Sequence, residues 1–194
     1  MERLLTTLTI VAVFVCPCAA EDKLNRIDFK NDLIPVLTKH GCNAGACHGA
    51  AIGRGGFKLS LYGGDPKSDF EAIAKRMNGR RINLSKAGES LVVLKPTEQV
   101  EHGGGSVFDD DSESARLLLD WIKQGAEYRF RRDLKHLEIT PNRYVAKTLG
   151  ESVPLRAIAY YSDGSTRDVT KWTIFQAEDE SAVRVAGTIR RAVA

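Results

Sequence analysis

The sequence predicts a mainly α-helical domain followed by an all-β sandwich fragment. Two observations carry that expectation. Apolar residues recur at helical spacing in several segments before Gln124, and beyond Arg132 they fall in short runs broken by turn residues. The basic stretch Arg129–Arg132 separates the two patterns.

The first expected helix runs from Ile27 to His40. Phe29, Leu33, Ile34, Val36 and Leu37 are its apolar positions, Asp28 can cap its start, Pro35 should kink it, and Gly41 stops it. Gly49 to Gly64 is glycine-rich around the apolar run Phe57–Tyr62. No helix opens directly behind Gly53-Arg54-Gly55-Gly56, so a loop wrapped around something flat is favoured over a phosphate cradle. A second helix is expected over Ser68–Met77, with Ser68 and Glu71 as a capping box and Phe70, Ile73, Ala74 and Met77 on one face. Glu89–Leu94 reads as a short third helix before Pro96. Thr97–Asp111 is a polar loop, in which Asp109-Asp110-Asp111 reads as helix capping and not as a calcium loop. The last helix, Ser112–Gln124, turns Leu117, Leu118, Trp121 and Ile122 to one side and ends at Gly125. In the second half, Leu137–Ile139, Val153–Tyr160 and Trp172–Phe175 read as strands, with Ser162–Ser165 as a turn. About sixty residues are fewer than the ~100 of an immunoglobulin-type sandwich. The fragment is therefore expected to be incomplete, and the chain a piece of a longer protein.

The 194 residues have the apolar and charged fractions of an ordinary globular protein. The net charge of +3 comes from interspersed acids and bases, which offers no nucleic-acid footprint. The first twenty residues differ: Glu2 and Arg3, an apolar run from Leu4 to Val15, then Pro17-Cys18-Ala19-Ala20. This is the layout of a cleaved secretory leader, and it is shorter than the ~20 apolar residues of a membrane span. The expected organisation is a signal segment at residues 1–20, a first domain at 21–130 and the β fragment at 134–194. An exported protein of the periplasm or cell envelope follows, with no stable membrane span after cleavage.

Cleavage removes Cys16 and Cys18 and leaves Cys42 and Cys47. Both lie in Cys42-Asn43-Ala44-Gly45-Ala46-Cys47-His48. Two cysteines followed at once by a histidine is the layout that attaches c-type haem, where thiols add to vinyl groups and the imidazole binds iron. Four residues separate the cysteines where two are usual. The four are small, and Gly45 can take a positive φ to fold the extra residues away. A disulfide between Cys42 and Cys47, and a zinc site using Cys42, Cys47, His48 and His102, are the other readings.

The order of elements matches a small class I cytochrome c: a helix into the motif, glycine-rich loops, then a closing helix. In that order the distal ligand comes from the loop before the last helix, where His102 stands before Gly103-Gly104-Gly105. Met77 competes for this role but is expected in a core. His40 is expected at a solvated helix end and His136 without a special role.

More specifically, Phe29 to Ala126 resembles the planctomycete-type cytochrome c-like domain. The resemblance rests on Leu33-Ile34-Pro35-Val36-Leu37, the segment from Gly41 to Ala50, Gly55-Gly56-Phe57-Lys58-Leu59-Ser60-Leu61, Gly64-Asp65-Pro66, the segment from Ser90 to Pro96, His102-Gly103-Gly104-Gly105, and the segment from Leu119 to Ala126. Leu137–Pro141 and Tyr161–Thr170 look like the start of a bacterial Ig-like domain of group 2. The resemblance implies a mainly α cytochrome c-like domain, with the class I order of helices around haem, followed by an all-β, Ig-like sandwich fragment. It implies one covalent haem c, held by Cys42 and Cys47, with His48 as proximal ligand. Many relatives carry a methionine in a Met-Pro-Pro context where this chain has His102, so bis-histidine ligation by His48 and His102 is expected.

The expected function is one-electron transfer to a redox partner protein, at a lower potential than His/Met ligation would give. The alternative is an envelope or surface binding protein whose Ig-like part contacts envelope material or carbohydrate, with a structural Cys/His cluster. Peroxidase-type enzyme activity is a minor reading, because a sixth ligand closes the iron.

Overall fold

A computed structural model describes residues 26–186 and 191–193; the expected signal segment, residues 1–20, lies outside the described residues. Its architecture is mixed, and this corrects the expectation of a mainly α cytochrome c-like domain followed by an Ig-like sandwich. Four short α-helices are joined by long loops: α1 (Ile34–Lys39), α2 (Pro66–Ala74), α3 (Leu91–Leu94) and α4 (Glu113–Lys123). Strands follow: β1 (Leu134–Thr140), β2 (Ser152–Pro154), β3 (Arg156–Tyr161), β4 (Thr166–Asp168), β5 (Arg184–Ala186) and β6 (Arg191–Val193).

The first helical segment begins as a π-helical turn, Phe29–Leu33, capped by the Asp28 carboxylate, which accepts from Asn31 N at 3.0 Å. Pro35 has no N–H to give the carbonyl of residue 31. The turn widens instead, so that Ile34 N donates to Phe29 O, and regular α1 follows. Gly41, at φ +73°, ends it. α2 starts earlier than the Ser68 capping box suggests. Asp65 accepts from Ser68 N at 3.1 Å, and Pro66 fills the first helical position, a stronger start than serine alone. The helix also ends earlier, at Ala74. Met77 therefore leaves the apolar face and is 62% exposed, not core. α4 is capped by Ser112 Oγ, which accepts from Ala115 N at 3.1 Å, and buries Ala115, Leu118, Trp121 and Ile122.

Among the described residues the main buried cluster runs from Ile27 to Ala126, with Tyr128 packed against it. At its centre Phe29 meets Phe70 edge-on at 5.5 Å, Trp121 at 5.4 Å and Tyr128 at 5.8 Å. Ile27 N donates to Gln124 Oε1 at 2.9 Å, and Trp121 Nε1 to Glu127 O at 3.0 Å, so the chain's entry and exit are held on α4.

The second half forms two small antiparallel sheets, ordered β1-β3-β4 and β2-β6-β5. No apolar layer fills a space between them among the described residues. Ala157, Ala159 and Tyr161 are buried, while Leu134, Leu137 and Ile174 stay exposed. Two small side chains and one aromatic supply too little apolar area for a sandwich core. The expected strand Trp172–Phe175 does not form. Thr170 Oγ1 donates to Asp168 at 2.6 Å and accepts from Ala157 N at 2.9 Å, which turns the chain into a 3-10 turn, Thr170–Trp172. Polar contacts tie this half to the first: Arg167 pairs with Asp32, and Lys39 Nζ donates to Thr173 O at 3.2 Å. No helix among the described residues is long and apolar enough to cross a membrane.

Candidate functional site

The Cys42–His48 segment is a closed loop at the end of α1. Cys42 N donates to Leu37 O at 2.8 Å, and His48 N returns to Cys42 O at 3.0 Å. Asn43 points into the protein and is fully buried, with Nδ2 donating to Thr38 Oγ1 at 2.9 Å. Gly45 and Ala46 are exposed. The positive φ falls on Gly41 and not on Gly45. Gly49 is required by space: a Cβ there would meet Asn43 O at 2.2 Å.

Beyond the loop, Leu59 N donates to His48 O at 2.8 Å. The next residue, Ser60, is fixed by the buried Asp69 of α2, which accepts from Ser60 N at 2.5 Å and Ser60 Oγ at 2.7 Å. The segment that carries His48 is thus pinned to a core helix.

His48 and His102 lie 54 residues apart in sequence, and their rings come to 6.3 Å between centroids, 25° from parallel. Each ring is oriented by a backbone carbonyl. His48 Nδ1–H donates to Phe57 O at 2.8 Å, and His102 Nδ1–H to Gly105 O at 2.9 Å. A carbonyl only accepts, so the proton sits on Nδ1 and the lone pair of the neutral ring on Nε2. That is how proteins orient metal-binding imidazoles. Burial pushes the His48 pKa down, assisted by the His102 and Arg81 charges and opposed by the Phe57 and Arg54 carbonyls.

Both rings and both cysteines line one cleft of about 540 Å³. This lies within the ~300–1,000 Å³ of cofactor and ligand pockets. Leu37, Phe57, Leu59, Ile73, Phe108 and Leu118 give it apolar walls. Gly103 and Gly104 form the edge beside His102, and a Cβ on Gly104 would press the His102 ring at 3.1 Å.

Burial pushes the Cys42 thiol up to about 11, with the Cys47 charge adding to the effect. The thiol form therefore persists at neutral pH, and alkylation of Cys42 should be slow there. In a Cys47→Ser chain the rate should still be rising at pH ~10, well past the ordinary thiol value of ~8.5. A plateau reached by pH ~9 would contradict this.

The four residues expected at the site, Cys42, Cys47, His48 and His102, are brought to this one cleft. Met77 does not line it, and His136 lies on β1 against Tyr160. His40, expected at a solvated end, is instead half-buried in the cleft wall. Its Nε2 bonds Ser114 Oγ at 2.8 Å, and its ring packs on Phe108 at 4.9 Å. Phe57 and Arg81 were not singled out by the motif. Phe57 packs on His48 at 4.6 Å, and the Arg81 guanidinium lies 4.3 Å from the Phe57 ring.

Burial also lowers the His40 pKa, so both His40 and His48 resist protonation in the folded chain. The unfolded chain takes up protons at the ordinary value of 6.5. Stability of the ligand-free chain is therefore complete above that value and lost as pH falls through the lower folded-state values. The urea midpoint should be lower at pH ~5 than at pH ~7.5, and the difference should shrink in His40→Gln.

The cofactor readings ask for different donor sets. Cys42 and Cys47 are both free. Zinc needs three or four protein donors at one point, and among the described residues no such group of His, Cys, Asp or Glu converges. A porphyrin supplies four nitrogens itself and asks the protein for two axial ligands. His48 and His102 supply two imidazoles to the same cleft, 6.3 Å apart between ring centroids. No family model, curated protein or solved structure matches the chain.

Proposed function

We propose that this chain is an exported c-type haem protein that carries single electrons. Cys42 and Cys47 would hold the macrocycle through thioethers, and His48 and His102 would be its axial ligands. The carrying observation is the near-parallel imidazole pair in one cleft with Cys42 and Cys47, each ring with Nδ1 bound to a carbonyl. The bound group would supply reversible one-electron chemistry, with its potential set by the axial ligands and the surroundings.

The chain's own residues contribute three things. Phe57 O and Gly105 O fix the tautomer and tilt of the two rings, so each Nε2 is ready to bind. Leu37, Leu59, Phe108 and Leu118 give the space between them an apolar wall. Burial holds Cys42 as a thiol at neutral pH, and its sulfur and that of Cys47 would hold the macrocycle.

Two imidazole ligands favour ferric iron over His/Met ligation, so a low potential is expected. His102→Met should raise the potential and introduce a ferric sulfur–iron charge-transfer band in the red; an unchanged spectrum and potential would remove His102 from the iron. The overall test is a pyridine haemochrome spectrum of protein exported by cells that make c-type haem. A c-type band that survives acid–acetone extraction is expected. Complete extraction of the pigment, or none bound, rejects the proposal.

A further inference from the structure

We propose that the cations lining the cleft, Arg54, Arg80, Arg81 and Lys95, receive the two carboxylates of the porphyrin and so fix which edge of the macrocycle enters first. This rests on the haem reading and extends it to the charged end of the ligand.

Those four side chains line the cleft, and no aspartate or glutamate does. None of the four pairs with a carboxylate among the described residues. They are oriented but not neutralised. Arg81 Nη1 donates to Ala72 O at 3.1 Å while its guanidinium lies over Phe57. Lys95 Nζ donates to Glu101 O at 2.8 Å, one residue before His102. Arg54 reaches the glycine turn after His102, with Nε 3.7 Å from the point where a Gly103 Cβ would stand. Carbonyls steer a cation without cancelling its charge.

Arg54 and Arg80 are exposed and Arg81 and Lys95 half-buried, so they give the cleft a positive rim that attracts anions. Burial first, and then the Arg80 and Arg76 charges, depress the Arg81 pKa. A planar ligand with an apolar body and carboxylates at one end complements such a cleft. Arginine suits those carboxylates because its planar fork binds them through two parallel hydrogen bonds.

The test uses iron mesoporphyrin, which has no vinyl group to react with the thiols, and its uncharged dimethyl ester. Each is titrated into the full ligand-free chain and followed by its Soret band. The diacid should bind at least about tenfold tighter than the diester, the worth of one charge-assisted hydrogen bond. In Arg80→Gln/Arg81→Gln the ratio should collapse toward one. Lys95→Gln, with a far-ultraviolet dichroism check on both, should narrow it if the double variant does not fold. Equal affinity of diacid and diester in the native chain, each with a bis-histidine spectrum, overturns the carboxylate inference and leaves the haem reading standing. Binding of neither overturns both.

Discussion

Gly49→Ala is expected to cost the chain at least about 3 kcal/mol and to abolish stable pigment retention. The added Cβ would stand 2.2 Å from Asn43 O and 2.9 Å from the carbonyl atoms of Ala44. All of these are backbone, so no rotamer change relieves them. The obstructed segment is the loop that sets Cys42, Cys47 and His48 relative to one another. Opening it strains the return bonds from His48 N to Cys42 O and from Gly49 N to Ala44 O, both 3.0 Å. Gly55→Ala is the control. Gly55 has φ +63° but nothing within 4 Å of a Cβ, so it carries only the left-handed penalty of ~1–2 kcal/mol. Urea unfolding of the two variants separates a space requirement from a backbone preference. Similar losses in both would show that the loop yields around position 49.

Phe29→Ala carries the other large effect, a loss of ~3–5 kcal/mol. Phe29 is fully buried and touches Phe70, Trp121 and Tyr128, so truncation leaves a void bounded by three rigid rings. Rigid walls collapse poorly, which puts the cost at the high end of the range. Measured against a total stability of ~5–15 kcal/mol, such a loss leaves a marginal fold. Phe29→Leu should retain most of the volume and lose less than half as much by the urea midpoint. Equal midpoints for native and Phe29→Ala chains would place the core elsewhere.

Local chemistry was readable in the sequence, and long-range arrangement was not. Asp28, Gly41, Ser112 and Gly125 bound their helices because caps and stops act within a few residues. The start of α2 was misplaced where Asp65-Pro66 outcompeted Ser68. The sandwich expectation failed because alternation specifies strands but not what covers them. The β half has Ala157 and Ala159 at its buried positions, and small residues like these do not fill a second layer. In the site, Cys42, Cys47 and His48 were legible from spacing and His102 from its place before α4. His40 was misread because its partner, Ser114, lies 74 residues away. Arg81 was missed because only folding brings it over Phe57. Nothing in a single sequence signals either pairing.

The two imidazoles are held by unequal tethers. His102 is steadied within its own four-residue turn, where Gly105 N also donates to His102 O at 2.8 Å. His48 is steadied by Phe57, nine residues on, in a segment anchored through Ser60 to Asp69 of α2. Releasing the first ring opens one small glycine hinge, while releasing the second dismantles a long loop. The two faces of the cleft should therefore exchange ligands at very different rates, with the His102 side giving way first. A small competitor such as imidazole, added to the loaded protein, would enter there and leave His48 in place.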